Sequence, residues 1–208
     1  MIARSRTGVL VAAAVALVAA VVAFAVQDPD GDDRSPAADE LVALVEDGRE
    51  LTYRASYEST LADPRAASTK VTLKVWRKGE LSRQDLSVRN GDSTNQTSTF
   101  QLPDRTVRCT RVGDSPWSCA AQSPNKAEDP SAAAIEEEFA NKATSVTDES
   151  IAGMPTRCFT FPGKQLSEAC LTDEGVLARM VTAASSFELT SLTRDVAASV
   201  FELPAAPS

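Results

Sequence analysis

The sequence predicts an α+β fold: one curved antiparallel sheet with helices against one face, and one membrane segment before it. Three patterns predict this. Many short segments alternate apolar and polar residues and are joined by Gly-containing turns, which is typical of antiparallel strands. Two other segments show helical spacing and helix-start signals. A long apolar run stands near the N-terminus.

The N-terminal apolar run has the length of a membrane span. Residues 8–26 contain no charged residue, and such a stretch in a helix reaches about 28 Å. Arg4 and Arg6 precede the run and acidic residues follow it, so we expect residues 1–7 in the cytoplasm and the rest outside. A retained anchor and a signal sequence cleaved near Ala25, which would release a secreted protein, both stay open.

The remaining chain divides into three parts by composition. Residues 27–35 form an acidic linker, residues 36–204 an extracytoplasmic domain, and residues 205–208 a tail. The alternating aspartates of the linker resemble the start of a calcium loop, but the glycine that such a loop needs is missing. We therefore interpret the linker as a solvated segment and predict no metal site.

Two helices are predicted within the domain. Ser35-Pro36 is a helix-start signal, and Gly48 is placed to end the first helix after an apolar stripe. Asp129-Pro130 starts a second helix that carries Ile135 and Phe139 on one face.

The strand-like segments form one run before the second helix and one after it. The first run comprises residues 53–57, 70–75, 86–88 and 100–102, and the second lies around residue 145 and at 157–161, 169–171, 176–182 and 186–192. Turns are predicted at residues 77–80, 90–92 and 173–175. The outward residues of these strands are mostly Lys, Arg, Thr and Ser, so we expect one face of the sheet to be wet.

The four cysteines indicate an oxidising compartment. An exported chain with an even number of cysteines normally forms disulfides, and three pairings are possible here. Reflection about the turn at Asp114 places Cys109 opposite Cys119, and reflection about Lys164, beside the turn residues Pro162 and Gly163, places Cys158 opposite Cys170. Neighbour pairing is therefore favoured over the other two pairings and over a zinc site, for which the cysteines are too far apart in sequence.

Composition excludes several classes of function. The chain has no histidine, which removes Ser-His-Asp and Cys-His catalysis and His-ligated metals. Its formal net charge of −8 argues against a nucleic-acid partner. No spacing of carboxylates singles out a catalytic pair. We expect a protein that is not an enzyme and that has no catalytic residue and no cofactor.

The order of elements resembles a known family. A short N-terminal helix, a long antiparallel meander, a mid-chain helix, further strands and the ending Val200-Phe201-Glu202-Leu203-Pro204 are similar to the LolA-like lipoprotein-carrier fold, most of all to its LppX/LprG-type branch of lipid-binding envelope proteins, over residues 36–204. Those relatives usually carry a lipidated N-terminal cysteine, whereas no cysteine precedes Cys109 here. The resemblance implies that the curved sheet is an open half-barrel with a few helices on its concave face, and that this half-barrel binds a lipid in the bacterial cell envelope.

Two functions follow from this resemblance. The first is binding of a lipid or other apolar small molecule at the concave face. The candidate lining residues are Val71, Leu73, Val75, Leu86, Val88, Phe100, Leu102, Ile135 and Phe139. The alternative is an RseB-like protein-binding sensor or accessory module of the envelope, which would bind a protein partner and transport no ligand. In both cases residues 8–26, where they are retained as an anchor, associate the protein with the membrane.

Overall fold

The structure, a computed structural model, describes residues 35–62, 69–122, 142–163 and 165–207. The predicted membrane segment, the acidic linker up to residue 34 and the second helix up to residue 141 lie outside these ranges. Within them, no helix is long and apolar enough to cross a membrane.

One α-helix, one 3-10 helix and eleven strands make up the described chain. They are α1 (Pro36–Arg49), β1 (Tyr53–Leu61), β2 (Thr69–Lys78), β3 (Leu81–Asn90), β4 (Ser93–Leu102), β5 (Arg105–Val112), β6 (Ser118–Gln122), β7 (Ser145–Ile151), β8 (Met154–Thr160), β9 (Glu168–Thr172), β10 (Leu177–Val181), β11 (Ser185–Thr193) and the 3-10 helix Ala198–Phe201.

All eleven strands belong to one antiparallel sheet with the order β6-β5-β4-β3-β2-β1-β11-β10-β9-β8-β7. Two meanders, β1–β6 and β7–β11, meet where β1 pairs with β11. The sheet is curved and does not close, because the described strands leave β6 and β7 at its two ends. The predicted antiparallel sheet is confirmed, and its shape is consistent with a half-barrel.

The first helix begins where the sequence predicts it. The hydroxyl of Ser35 accepts a hydrogen bond from the Ala38 amide, and Pro36 occupies the first turn. The Ser35 hydroxyl also donates to the carbonyl of Ala143, 2.5 Å away, which fixes the helix start to the segment before β7. The helix ends at Arg49, one residue beyond the glycine that was expected to end it.

The apolar stripe of α1 packs on one face of the sheet, which we call the helix face. Leu41 and Val45 are fully buried there against Phe159 of β8 and Leu171 of β9. At the polar margin, Glu40 of α1 accepts a hydrogen bond from Arg157 of β8 at 2.5 Å. Hydrogen bonds with Glu40 and with Asp148 raise the pKa of Arg157 above its usual value.

The four cysteines form the two disulfides that the sequence favours, Cys109–Cys119 between β5 and β6 and Cys158–Cys170 between β8 and β9. In both pairs the cysteines lie directly opposite each other in register. The two disulfides indicate that the domain folds in an oxidising compartment outside the cytoplasm.

We expect each disulfide to contribute to stability mainly through the unfolded chain. The closed loops have sequence separations of 10 and 12 residues, and loops of that length give about 3 kcal/mol apiece. Replacing either pair by alanines should therefore lower the free energy of unfolding by about 3 kcal/mol in a urea titration. The prediction is contradicted if a reducing agent leaves the unfolding midpoint of the native chain unchanged.

The last residues of the chain lie across the face opposite the helix. Val196 and Phe201 pack on Trp76 of β2, while Leu203 and Ala205 pack against the cluster of β4–β6 side chains that contains the first disulfide. Residues 196–205, which we call the C-terminal strap, therefore cover one end of that face.

Arg83 of β3 holds the C-terminal strap to the sheet. Its guanidinium stacks on Trp76 at 5.1 Å and on Phe100 at 5.0 Å, measured to the ring centroids. It donates to both carboxylate oxygens of Asp85, at 2.8 and 2.7 Å, and to the carbonyl of Val200 at 2.7 Å. One side chain thus joins the strap, the sheet and two aromatic rings.

Substitution of this arginine should loosen the strap. Arg83→Met keeps the aliphatic stem but removes three hydrogen bonds and the cation–π contacts, so we expect a loss of about 2 kcal/mol and faster proteolysis near Val200. Arg89→Met on the same strand and face is the matched control, because Arg89 is exposed and, among the described residues, donates only to the Gly91 carbonyl. Equal stability of the two variants would show that Arg83 does not anchor the strap.

Candidate functional site

A single row of side chains crosses the helix face from β5 to β7. Each member lies directly opposite the next in the strand register, and no bulge interrupts the row. From β5 to β7 its members are Val112, Asn95, Val88, Val71, Ser59, Phe187, Met180, Ala169, Phe159 and Val146. Because side chains alternate between the faces of a strand, this row fixes which residues share the helix face.

Helix α1 packs over the β8–β10 part of this face. The cluster that contains its apolar stripe includes Phe159, Ala169, Leu171 and Leu177. The β1–β3 part of the face belongs to a second cluster, to which α1 contributes no residue. The apolar surface of the described sheet is therefore wider than the part on which its described α-helix packs.

Five of the predicted lining residues lie together in this second part. Val71, Leu73 and Val75 of β2 are buried, as is Val88 of β3, and Leu86 of β3 is half-buried beside them. They alternate along their strands, and Leu73 lies opposite Leu86 while Val71 lies opposite Val88. These five residues therefore share one apolar surface.

Phe100 and Leu102 do not lie on this surface. Phe100 is opposite Arg83, and on β3 the residue Arg83 lies on the other face from Leu86 and Val88. Both Phe100 and Leu102 instead pack with the first disulfide and the C-terminal strap. Their predicted place beside the β2 and β3 residues is thus corrected by the register of the β3–β4 hairpin. Ile135 and Phe139 lie outside the described residues.

Two tyrosines of β1 border the β2 residues. Tyr57 lies opposite Leu73 and Tyr53 opposite Arg77, and both rings are buried. The Tyr57 hydroxyl donates to the carbonyl of Leu177 at 2.8 Å, which ties β1 to β10 across β11. A buried phenol normally has such a partner. The sequence pattern predicted these tyrosines only as members of a strand.

A polar atom lies in the middle of the apolar row. The Ser59 hydroxyl oxygen is buried and has no hydrogen-bond partner in the described structure. Its neighbours across the strands are Val71 and Phe187, both buried and apolar. An unsatisfied buried hydroxyl costs about 1–3 kcal/mol, so it is an uncommon feature of a filled core.

The helix face becomes polar toward β4 and β5. Asn95, Thr97 and Thr99 of β4 are half-buried, followed on β5 by the half-buried Arg108 and the exposed Thr110. At the end of this part, the side chain of Val112 is 63% exposed. Across β1 to β5 the face thus changes from buried and apolar to accessible and rich in hydroxyl and amide groups.

The ion pairs nearest the second disulfide lie on the opposite face of the sheet. Arg179 of β10 contacts Glu168 at 2.7 Å and Glu149 at 2.6 Å, and its guanidinium lies 3.9 Å from the sulfur of Cys158. Burial lowers the pKa of Arg179, but hydrogen bonds with the two glutamates outweigh burial and raise it above its usual value. These charges cover the disulfide and leave the apolar part of the helix face uncharged.

The described residues hold no group of three or more His, Cys, Asp or Glu that could bind a metal ion. The chemistry that the helix face offers is burial of apolar surface at one side and hydrogen bonding at the other. Both are properties of a binding surface.

The comparisons with known proteins give structural similarity only. No family model matches the sequence. No curated protein matches it either. The chain is similar to the crystal structure of LprF from Mycobacterium bovis, with 12% identity, a TM-score of 0.47, and 84% of this chain and 100% of that chain covered. It is also similar to the crystal structure of MucB in complex with MucA(peri), with 14% identity and a TM-score of 0.40. That match covers 80% of this chain and 59% of the MucB chain.

Proposed function

We propose that the protein binds a lipid or another lipophilic ligand on the β1–β3 part of its helix face, as an extracytoplasmic protein of the bacterial cell envelope. The observation that carries this proposal is the extent of the apolar surface. Buried apolar side chains line this face on β1–β3 as well as on β8–β10, whereas α1 packs on the β8–β10 part alone. A curved sheet with few helices leaves apolar lining for a ligand.

The change in polarity across the face supports an amphiphilic ligand. Acyl chains would lie over Val71, Leu73 and Val75, where no charged group interrupts the apolar surface. A polar headgroup would lie toward Thr97 and Arg108, which are accessible and supply hydrogen-bond donors. The Ser59 hydroxyl, which has no partner in the described structure, would donate to an oxygen of the ligand near the centre of the row.

Lipid extraction tests the proposal directly. The full-length protein, purified without added lipid, should release about one equivalent of lipid into organic solvent, as identified by mass spectrometry. A protein that folds and carries no lipid, and that takes none up from vesicles, would contradict the proposal.

A protein-binding role in the envelope is the alternative. The observation that favours it is the open edge of the sheet at β7, whose residues 145 and 147–150 are exposed. An extended segment of a partner adds to such an edge through backbone hydrogen bonds. Recovery of one envelope protein, still bound after complete delipidation, would support this alternative over the lipid binder.

The residue types available on the helix face argue against catalysis. Without histidine, a hydrolytic centre would need paired carboxylates or an activated Lys or Cys, and the helix face of β1–β5 carries no acidic residue. We therefore propose that the protein is a binder and not an enzyme.

A further inference from the structure

The face of β1–β5 that points away from the helix face is strongly basic. Strand alternation places eight Lys or Arg on it and only two acidic residues, Glu58 and Asp85. The eight cations are Arg54, Lys70, Lys74, Lys78, Arg83, Arg89, Arg105 and Arg111. We call this surface the basic face. Its charge is opposite in sign to the formal net charge of the chain, which is −8.

The cations are concentrated on this face and not merely frequent in these strands. The helix face of the same five strands carries two cations, Arg77 and Arg108. Helix α1, on the far side of the sheet, exposes Asp39, Glu46 and Asp47. Within β1–β5, positive charge is therefore concentrated on the face away from α1, whereas on β7, β9 and β11 the same face also carries Glu149, Glu168 and Glu188.

Part of the basic face remains open beside the C-terminal strap. The strap packs on Trp76, Phe100 and the first disulfide. At the other end of the same strands, Lys70, Lys74 and Arg89 are exposed. This end therefore presents its charges to solvent.

The open end keeps an unfavourable charge arrangement. Lys70 lies directly opposite Arg89 in the β2–β3 register, and like charges in this position are destabilising. Glu58 pairs with Lys70 at 2.8 Å, but both side chains of that ion pair are more than half exposed, so the pair contributes little. A local cost of this kind fits a surface that binds negative charge.

An indole beside these cations suits a bilayer surface. Arg111 stacks on the ring of Trp117 at 4.8 Å, and that half-buried indole lies at the edge of the basic face. An indole next to cations is typical of the membrane–water interface.

We infer that the open end of the basic face docks on an anionic phospholipid surface. Each Lys or Arg close to such a surface contributes roughly 1 kcal/mol, and the acidic helix side is repelled, so the field also orients the domain. Nucleic acid is a poor candidate because the disulfides indicate an oxidising compartment. This inference does not depend on ligand binding at the helix face, which lies on the other side of the sheet.

Tryptophan quenching in vesicles tests the inference with the full-length chain. The protein is reconstituted into phosphatidylcholine vesicles, with or without an equal part of phosphatidylglycerol, that carry a quencher on the lipid headgroup. Trp117 is half-buried and Trp76 is buried, so quenching reports mainly on Trp117. We expect stronger quenching in the anionic vesicles and its loss in 1 M salt, where the screening length falls to about 3 Å.

Matched variants assign the effect to the basic face. Lys74→Gln with Arg89→Gln should reduce the docked-to-undocked ratio about tenfold or more. Arg49→Gln with Arg77→Gln removes the same charge from the helix side of the domain and should leave the ratio unchanged. Equal quenching in the two kinds of vesicle would overturn the inference. The basic face would then bind an acidic protein or have no partner. An equal loss in both double variants would overturn the inference too.

Discussion

Gly175→Ala should destabilise the protein by about 3 kcal/mol or more. Gly175 lies in the β9–β10 turn with φ of +82°, where a side chain is strained. A Cβ atom there would also lie 1.9 Å from the carbonyl oxygen of Leu44 and 2.7 Å from the amide nitrogen of Gly48, both in α1. These are backbone atoms, so relief requires the helix to move off the sheet. Urea denaturation of the variant measures the loss.

Gly91→Ala is the matched control. Gly91 has a φ of +58°, but a Cβ atom built there meets nothing within 4 Å. The control therefore has the backbone strain without the clash, and we expect it to cost about 1 kcal/mol. Similar losses for the two variants would show that backbone strain alone, and not the helix–turn contact, determines the effect.

Gly48, which faces Gly175 across the helix–turn contact, has a role that the sequence could not predict. Gly48 was expected only to end α1, yet it lies inside the last turn, and a Cβ atom there would be 2.3 Å from the Gly175 carbonyl oxygen. A glycine near a helix end is equally compatible with a terminator and with close backbone packing. The contact joins residues far apart in the chain, and no local pattern reports it.

Much of the sheet was predictable because its signals are local. The alternation in β1 and β2, the turn at residues 90–92 and the neighbour pairing of the cysteines depend on short-range register, and the structure agrees with each. The start of α1 was predictable for the same reason, because Ser35 and Pro36 determine it locally.

The length of one turn explains why Phe100 and Leu102 do not lie with the other predicted lining residues. Gly91 and Asp92 form a two-residue hairpin loop, so Asn90 pairs with Ser93 and even-numbered residues of β3 share a face with odd-numbered residues of β4. Phe100 is even-numbered and therefore lies opposite Arg83, on the basic face. The sequence contained this information in the turn length, whereas the apolar character of Phe100 and Leu102 alone suggested the wrong face.

The basic face was missed for a related reason. Each strand by itself shows a few Lys and Arg among Thr and Ser, which is ordinary for a solvated strand face. The excess of positive charge emerges only when the registers of five strands are combined, because Lys70, Arg89 and Arg111 are distant in sequence. The overall negative charge of the chain hid it further.

Leu86→Glu should abolish most lipid binding at the helix face. Leu86 is half-buried between Leu73 and Thr97, at the boundary between the apolar and polar parts of that face. A carboxylate there would have to be desolvated by an acyl chain without a partner, at a cost of several kcal/mol. We expect at least a tenfold fall in the lipid recovered per protein by solvent extraction and mass spectrometry.

Ser87→Glu provides the matched control because it adds the same charge one residue further along β3. Ser87 points to the basic face, between Thr72 and Gln96, so its variant should retain lipid at the native level. It should weaken vesicle docking instead, since it places a negative charge among the cations. If both variants unfold at the native urea concentration and bind the native amount of lipid, then the ligand does not lie on β3 and the proposed site is wrong. If Leu86→Glu loses both lipid and stability, Leu86→Gln separates the causes, because it adds no charge and should reduce lipid binding less.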